Sequence, residues 1–594
     1  MPQRRYQLTK MPSDSISHSL PVAGIESLRP LLLGTRHMAV AGHYSAAHAA
    51  FAVLESGGNA VDAGVAAGIA LGVLQSDLVN VAGVAPIMIY RAEKRDVLTI
   101  SGLGTWPRAV TPDLFQKRHG GNIPEGILRT VIPAAPDAWI TALENFGTMG
   151  FGDCARAAIR FASVGFPMYG LMSDMIAMHV ADYARWPSSA AVYLPSGRPP
   201  RRGEIFVQAD LGRTLQYMAD EEKAAAVKGR AAGLKAARNA FYRGDIARTI
   251  VAYHGANGGL LTARDLDEFR VAIEPPVKTR FAGIDLYSCG PWSQGPVLPQ
   301  MLGVLNGIDL KHMGHNSIDY AHVVTEAIKL AFADRERYYG DPRFVKVPIE
   351  ILLSDAYAEK RRAMIHSDRA WPEMPPYGEI SGFASRSAPV PTKDSAAVGA
   401  HDTSYVCVMD KDGNAFSATP SDPSYDTPVI PGTGLCPSSR GSQSWADPAH
   451  ASSVAPGKRP RLTPSPAIAI LPDGSPMPLG TPGGDVQAQA ILQVFLNMTV
   501  FDMNPQQAVE APRFASYSFP DSFEPHSYSP GVLHVESRVP QSVRNGLAAR
   551  GHKIMDWPEF VWRAGAVCVL RSDRSRGVIS AGADPRRPCY AVGW

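Results

Sequence analysis

The sequence predicts a layered α/β protein whose strands pair antiparallel. Residues 60–74 form a run that is apolar on every side when drawn as a helix, so this helix should be buried. Two hairpin signals, at residues 410–414 and 472–474, join strand-like segments through turns rich in Asp and Gly. Strand pairs of this kind, alternating with helices along the chain, indicate sheets packed against helices in one body.

Composition and charge exclude several classes of protein. Of 594 residues, 45% are hydrophobic and 19% are charged, which suits a large folded core. The 58 basic and 55 acidic residues nearly cancel to a net charge of +3, so we expect neither a nucleic-acid nor a membrane partner. The 6 cysteines form no C-x-x-C pair, which argues against a zinc ribbon. No apolar signal segment follows the basic N-terminus, so a cytoplasmic location is expected.

Periodicity and turn residues predict the elements of the first 400 residues. After an N-terminal arm, residues 1–37, order is expected from Met38 onward. Asn59 is a typical helix N-cap, and Asp62 three residues later favours the same helix N-terminus. Helices are predicted over residues 44–56, 60–74, 133–146, 154–164, 220–238, 242–253 and 318–337, strands over residues 87–90 and 97–100, and irregular segments over residues 187–204 and, as a mobile linker, about 366–402.

The last third of the chain is predicted to be rich in strands. Strands are expected over residues 401–409, from Ala415, and over residues 467–471 and 477–479, followed by a helix over residues 486–496. Between the two hairpins, residues 420–465 form a loop rich in Gly, Pro and Ser. Because loops of this length inside a compact domain are usually functional, we expect this one to contribute to a site.

Thr403 is the strongest candidate for chemistry, because it opens a strand directly after the linker. Its hydroxyl could attack the preceding carbonyl, cleave the Asp402–Thr403 bond by an N→O acyl shift and leave a new N-terminus. The freed α-amine, with an ordinary pKa of about 7.7–8.0, could then serve as the local base. On local sequence alone, a purely structural threonine is the alternative.

Gly483 and Gly484 are the second candidate, because two glycines before a helix leave backbone N–H groups accessible to a developing oxyanion. A plain strand–turn–helix connection is the alternative. No Lys-Ser/Thr pair follows, which argues against a phosphate loop. Ser442 does not lie in a G-x-S-x-G elbow, so an α/β-hydrolase is also disfavoured.

Seven segments, in order, resemble the gamma-glutamyltranspeptidase family of N-terminal-nucleophile hydrolases. They are residues 57–63, 330–335, 340–342, 412–415, 456–460, 482–484 and 511–514. One such motif is weak, but seven in register are specific. The resemblance spans about residues 38 to 560, almost the whole chain.

The resemblance implies an αββα sandwich made as one proenzyme that cuts itself between Asp402 and Thr403. It implies a large fragment, residues 1–402, and a small catalytic fragment, residues 403–594, which remain together as one folded unit. It is compatible with a homodimer, and it implies no metal and no organic cofactor.

The resemblance also assigns catalytic residues. Thr403 lies ten residues before Gly413 of the Asp-Gly-Asn turn, where the family has its nucleophile. Ser421, eighteen residues after Thr403, corresponds to a hydroxyl that assists the nucleophile. Gly483 and Gly484 correspond to the oxyanion-hole glycines.

Other segments bear on substrate binding. A Ser-Ser pair of the family falls on residues 462–463, so only Thr463 keeps a hydroxyl. Three segments resemble the acylase-like branch of the family: residues 292–295, Trp-Ser-Gln-Gly, residues 440–442, Arg-Gly-Ser, and Asp485 after the two glycines. We therefore assign Thr463, Asp485 and Arg440 as candidate substrate-binding residues.

One departure from the family argues against glutathione as substrate. Glutathione-acting members carry an Arg four residues before a Pro, which holds the substrate carboxylate. Here Pro107 follows residues 103–106, Leu-Gly-Thr-Trp, so that Arg is absent. Losing a charge-assisted partner should cost about 1.5–3 kcal/mol of binding free energy. Arg440 is the candidate replacement anchor for an acidic substrate, and a structural arginine is the alternative.

These observations predict an autoprocessed amidohydrolase or acyltransferase that cleaves a small-molecule amide through an acyl-threonine intermediate. Two other functions remain open. One is genuine gamma-glutamyl transfer from glutathione, and the other is a catalytically silent homologue that acts as a binding scaffold.

We expect the wild-type chain to run on a denaturing gel as two bands. At the mean residue mass of this 63.7 kDa chain, the fragments should be about 43 and about 21 kDa. Thr403→Ala should give one full-length band, because it removes the hydroxyl that attacks the preceding carbonyl. A full-length wild-type band identical to that of the variant would contradict autoprocessing.

Overall fold

The computed structural model describes residues 27–111, 113–383 and 403–594. Strands in these ranges are β1 (Leu32–Gly34), β2 (Met38–Ala41), β3 (Ile87–Arg91), β4 (Asp96–Ile100), β5 (Phe166–Pro167), β6 (Ile205–Phe206), β7 (Ile273–Glu274), β8 (Val277–Phe281), β9 (Ile284–Ser288), β10 (Val406–Met409), β11 (Ala415–Ala418), β12 (Ala467–Ile470), β13 (Pro476–Gly480), β14 (Phe514–Ser516), β15 (Val532–Glu536), β16 (Lys553–Trp557), β17 (Cys568–Asp573), β18 (Val578–Ala583) and β19 (Tyr590–Gly593).

Helices in the same ranges are α1 (Tyr44–Glu55), α2 (Ala60–Leu74), α3 (Leu114–His119), α4 (Ala135–Phe146), α5 (Phe151–Val164), α6 (Gly170–Met178), α7 (Val180–Ala184), α8 (Pro187–Tyr193), α9 (Ala209–Ala225), α10 (Arg230–Tyr242), α11 (Asp245–Ala256), α12 (Ala263–Glu268), α13 (Val297–Leu305), α14 (Leu310–Met313), α15 (Ile318–Tyr338), α16 (Ile349–Leu352), α17 (Asp355–Arg362), α18 (Val486–Thr499), α19 (Pro505–Glu510) and α20 (Gln541–Ala549).

Two large sheets dominate the fold. The first sheet has the strand order β19-β2-β10-β11-β3-β4-β7, and the second has the order β1-β18-β17-β13-β12-β9-β8. Every neighbouring pair in both sheets is antiparallel, as the hairpin signals predict. Each of these two sheets combines strands from before residue 384 with strands from after residue 402, so neither part of the chain builds a large sheet alone.

The two sheets share a buried apolar cluster. Strand β10 shows the alternation that produces it: Cys407 and Met409 belong to the cluster between the sheets, where Cys568 and Leu570 of β17 join them. Val406 and Val408, on the opposite face of β10, pack in a different cluster with the helices. Because successive side chains of a strand point to opposite faces, the first sheet is covered on both sides.

Helices cover the outer face of each sheet. Helices α1, α2, α4 and α5 share a cluster with the outward side chains of the first sheet. Helices α13, α15 and α18 share another with the outward side chains of the second sheet, among them Leu286 and Leu479. All residues of α2 are buried, as its apolar sequence predicts. Asn59 and Asp62 form a capping box at its start, which fixes where the helix begins.

Most predicted elements are present with shifts of a few residues. Two predictions about helices are wrong. Residues 187–204 contain α8, because Pro187 occupies the first turn of a short Ala-rich helix. The single helix predicted over residues 220–238 is two helices, α9 and α10, separated at Gly229, whose φ of 104° ends the regular helix.

Order in the chain begins before Met38, because β1 pairs with β18 at the edge of the second sheet. Residues 1–26 of the predicted arm lie outside the described residues. In the predicted linker, residues 366–383 pack on the protein, and the Trp371 amide donates to Glu326. Residues 384–402, including Asp402, lie outside the described residues. The strand after the linker begins at Val406 and not at Thr403.

Two further observations concern the cysteines and the helices. All 6 cysteines are buried free thiols. Among the described residues, no helix combines the length and the apolar character needed to cross a bilayer.

We expect Gly64→Ala to lower the free energy of unfolding by about 1–3 kcal/mol, because a Cβ at this buried position of α2 would collide with the ring of Phe416 on β11. Gly255→Ala on α11 is the matched control. Nothing lies within 4 Å of its added Cβ, so higher helix propensity should stabilise it by up to about 1 kcal/mol. Chemical denaturation measures both, and an unchanged Gly64→Ala would contradict close packing of α2 on the sheet.

Candidate active site

Thr403 and Ser421 lie side by side, three residues beyond the ends of β10 and β11 of the first sheet. The hairpin of β10 and β11 brings the two residues into an isolated antiparallel bridge, and the Ser404 amide donates to the Pro420 carbonyl at 3.0 Å. Their hydroxyl oxygens, Thr403 Oγ1 and Ser421 Oγ, are 2.8 Å apart, within hydrogen-bond distance. Both residues are buried. The tertiary structure therefore joins the two hydroxyls that the sequence predicts as nucleophile and assistant.

Ser421 also pairs with the segment that follows α2. Its amide donates to the Val84 carbonyl at 3.0 Å, and the Val84 amide donates back to the Ser421 carbonyl at 3.2 Å. A Cβ at Gly83 would lie 2.8 Å from the Cβ of Asp422 and closer still to the Ser421 carbonyl oxygen. The chain can approach Ser421 this closely because residue 83 is glycine.

Arg440 contacts the hydroxyl pair directly. It lies in a 3-10 turn, Arg440–Gln443, and its side chain is fully buried. Its Nη2 donates a short hydrogen bond to Ser421 Oγ, and its Nε lies 3.3 Å from Asp422 Oδ1. Its Nη1 is also buried, and within the described ranges it has no hydrogen-bond partner. The Nε and Nη2 atoms of the guanidinium group therefore face protein partners, and Nη1 can still donate a hydrogen bond.

Asp422 is a site residue that the sequence does not reveal. Its carboxylate accepts from Ser438 Oγ at 2.5 Å and from the Ser439 amide and hydroxyl at 3.0 Å each. Burial raises the pKa of this carboxyl, and Arg440 opposes that shift. Its φ of 122° is unusual for a non-glycine residue, and strain of this kind costs about 1–3 kcal/mol. The only sequence signal is an Asp before a Pro in the long loop.

The two predicted oxyanion glycines connect β13 to α18. Gly483 and Gly484 have φ values of 124° and 54°, a conformation that favours glycine. In the described part of the chain, neither amide donates to a backbone carbonyl. Gly480, at the end of β13, approaches the ring of Tyr405 so closely that a Cβ would overlap it. The β13–α18 turn therefore follows a strand that packs on the segment beginning at Thr403.

Two glutamines tie Thr463 to this turn. Gln294 Nε2 donates to the Thr463 carbonyl at 2.8 Å and to the Gly484 carbonyl at 3.0 Å. Gln443 Nε2, from the same turn as Arg440, donates to Thr463 Oγ1 at 2.8 Å. The Thr463 hydroxyl thus lies between the Arg440 turn and the glycine turn. Gln294 lies in the Trp-Ser-Gln-Gly segment that resembles the acylase-like branch, whereas Gln443 was not predicted, because an isolated Gln carries no recognisable motif.

The Asp485 carboxylate is engaged by protein groups. Its oxygens accept from the Ser522 amide at 2.8 Å and the Ser522 hydroxyl at 2.7 Å. Arg335 of α15 forms a short ion pair with it, and both side chains are buried. Its part in substrate binding remains a prediction. The contacts visible here fasten the start of α18 to α15.

One partly buried carboxyl near the Arg440 turn has an unusual pKa. Phe523 lies under the Arg440 guanidinium, with 5.3 Å between the guanidinium carbon and the ring centroid. Burial raises the pKa of the next residue, Glu524, to about 7, and Arg129 opposes that shift. The Glu524 amide donates to the Ser442 carbonyl at 2.8 Å, which joins this segment to the Arg440 turn.

A possible metal-ligand group lies away from these residues. The ligand atoms of His322, Glu326 and His552 come within 4.8 Å of one another. Each residue already has a protein partner: the two rings share a 2.9 Å hydrogen bond, and Glu326 accepts from Lys329 Nζ at 2.7 Å. A buried lysine beside the carboxylate disfavours a cation there.

Known proteins resemble this chain over almost its whole length. The family model for gamma-glutamyltranspeptidase matches residues 46–594. The acylase ACY 1 proenzyme of Pseudomonas sp. (strain V22) is 32% identical over 90% of this chain and 90% of that protein. The glutathione hydrolase-like YwrD proenzyme of Bacillus subtilis (strain 168) is 30% identical over 95% of this chain and 99% of that protein.

Solved structures agree as well. The crystal structure of cephalosporin acylase from Bacillus halodurans superposes with a TM-score of 0.82 at 27% identity, over 98% of this chain and 99% of that chain. Fold and relatives together define an autoprocessed amidohydrolase or acyltransferase of the N-terminal-nucleophile class. Within that class, the chain belongs to the gamma-glutamyltranspeptidase family.

Proposed function

We propose that Thr403 is the nucleophile of an amidohydrolase or acyltransferase that processes itself. The observation that carries this proposal is the buried pair of hydroxyls, Thr403 Oγ1 and Ser421 Oγ, 2.8 Å apart. A hydroxyl is a weak nucleophile unless a neighbouring group accepts its proton or orients it. The packing of helices, two sheets and helices supports the αββα sandwich that the resemblance implies.

In the proposed maturation step, Thr403 Oγ1 attacks the carbonyl carbon of Asp402. The peptide nitrogen leaves as the new α-amine of Thr403, and water then hydrolyses the resulting ester. The two products are residues 1–402 and 403–594. We expect them to remain together, because β10, from the second product, is hydrogen-bonded on one side to β2 of the first. Cytoplasmic location and a homodimer remain expectations.

In the proposed catalytic step, the freed α-amine takes the Thr403 hydroxyl proton as the oxygen attacks the substrate amide. The amides of Gly483 and Gly484 donate to the oxyanion, and Ser421 donates to or accepts from Thr403 Oγ1. The leaving amine takes a proton, and an acyl-threonine ester remains. Water releases the acyl group as an acid, or an acceptor amine takes it, with Thr403 regaining its proton.

We further propose an acyl donor with a terminal acid group. Arg440 Nη1 is a buried donor that can receive a carboxylate, and Thr463 and Asp485 are proposed to line the same subsite. The missing Arg before Pro107 argues against the α-carboxylate of a gamma-glutamyl donor. Acylase proenzymes among the relatives support an acyl donor other than glutathione. Genuine gamma-glutamyl transfer and a silent scaffold are the alternatives.

Ser421→Ala should slow self-cleavage by about 100-fold, because Thr403 Oγ1 loses the hydroxyl 2.8 Å away that shares its proton. Ser421→Thr keeps the hydroxyl and should cleave at a rate within a few-fold of wild type. Time courses of cell-free synthesis followed on denaturing gels measure both rates. Equal rates in the Ala and Thr variants would argue against a role of the Ser421 hydroxyl.

Three p-nitroanilides distinguish the candidate functions. Gamma-glutamyl-p-nitroanilide carries an α-ammonium and a carboxylate, the glutaryl compound keeps only the carboxylate, and the valeryl compound has neither. We expect kcat/KM for the glutaryl compound to exceed that for the valeryl compound by about 10-fold or more, since an ionic hydrogen bond contributes about 1.5–3 kcal/mol.

Arg440→Gln should reduce that preference, and Thr403→Ala should abolish all turnover. Fastest release from the gamma-glutamyl compound would favour genuine gamma-glutamyl transfer. Absence of both self-cleavage and turnover would favour the silent scaffold.

A further inference from the structure

The Asp422 side chain contacts the segment that leads into the Arg440 turn, and its main chain adjoins Ser421, the proposed partner of the nucleophile. It directly follows Ser421, and it accepts from residues 438 and 439 just before Arg440. Its main chain is fixed as well, because Asn80 Nδ2 donates to the Asp422 carbonyl at 2.8 Å. Hydrogen bonds therefore hold both the carboxylate and the main-chain carbonyl of Asp422. They fix the residue at a φ of 122°, which an aspartate rarely adopts.

The Asp422 carboxylate neutralises the buried positive charge of the Arg440 guanidinium. Both side chains are buried, and Asp422 Oδ1 lies 3.3 Å from Arg440 Nε. Among the described residues, the Asp422 carboxylate is the only acid in an ion pair with Arg440. A buried guanidinium without its carboxylate is strongly unfavourable, so loss of Asp422 should displace Arg440 or admit water beside it.

Arg440 in turn defines the hydrogen bonding of Ser421. Because a guanidinium can only donate, Ser421 Oγ must accept from Arg440 Nη2. That bond leaves Ser421 one proton and one lone-pair direction for its contact with Thr403 Oγ1. These contacts connect the Asp422 carboxylate to the Arg440 guanidinium, and the guanidinium through the Ser421 hydroxyl to the Thr403 hydroxyl.

We propose that Asp422 is a positioning residue for the Thr403 reaction, which holds Arg440 where it donates to Ser421 and thereby orients the hydroxyl pair. Asp422 touches neither the reacting Thr403 oxygen nor, in this proposal, the substrate. It acts through Arg440 alone. This inference rests on the proposed role of Thr403 and adds a residue that the family resemblance does not assign.

The proposal predicts that Asp422 and Arg440 are coupled. Asp422→Asn keeps the size of the side chain but removes the charge, and it should slow self-cleavage by about 10- to 100-fold through displacement of the reacting groups. In an Arg440→Gln background, the same Asp422→Asn change should alter the rate by less than about 3-fold, because the residue through which Asp422 acts is already gone. A merely structural role would give additive effects.

Asp137→Asn is the matched control. Asp137 forms an equally buried pair with Arg238 in the helical layer, with 2.5 Å between Asp137 Oδ1 and Arg238 Nε. The Asp137→Asn change should lower the melting temperature while leaving the self-cleavage rate of the folded protein unchanged. For processed protein, Asp422→Asn should lower kcat more than it raises KM for the anilide that wild type hydrolyses fastest.

The outcomes distinguish failure of the Asp422 proposal from failure of the proposed role of Thr403. If wild type neither cleaves itself nor turns over an anilide, the proposed role of Thr403 fails, and the Asp422 proposal fails with it. If wild type cleaves and Asp422→Asn cleaves at the same rate, or the two effects add, only the Asp422 proposal is overturned. Should Asp422→Asn not fold, the double variant still decides, because it must match Arg440→Gln alone.

Discussion

The antiparallel pairing of β10 with β2 on one side and β11 on the other is the interaction on which the site depends. Strand β10 lies inside the first sheet, with both edges hydrogen-bonded. The chain that enters it therefore has a fixed direction and register, and Thr403, three residues before the strand, inherits that position. The turn into β11 reverses the chain direction and places Ser421 opposite Thr403. Two hydroxyls separated by eighteen residues become neighbours because a short hairpin joins them.

Buried charge is the second constraint on this molecule. Several arginines inside the protein are held by carboxylates, among them Arg335 with Asp485 and Arg440 with Asp422. A buried pair adds little net stability, but removing one partner leaves an expensive charge, so such pairs specify geometry more than they add free energy. The Arg335 pair fastens the helix after the glycine turn, and the Arg440 pair fastens the loop beside Ser421. The site is thus held from two sides.

Local sequence predicted much of the scaffold for identifiable physical reasons. The cap at Asn59 and the uniformly apolar helix after it leave little choice of conformation or environment. The Asp-Gly turns impose hairpins. Local patterns failed where tertiary contacts decide the outcome: the edge strand Leu32–Gly34 exists because β18 offers it a partner, and Gly229 divides a helix that composition alone makes continuous. The resemblance supplied Ser421, which no local pattern would have distinguished.

The sequence by itself determined the class of fold, the family and the candidate site residues, whose hydroxyls and main-chain amides are the groups proposed to act. Those properties reside in residue type and spacing, which a chain displays before it folds. Only the tertiary structure decided that Thr403 and Ser421 share a hydrogen bond and that Arg440 is paired with Asp422 beside them. The physical reason is that burial and ion pairing depend on segments far apart in the chain, so the partner of a charged side chain is defined only when the sheets have assembled.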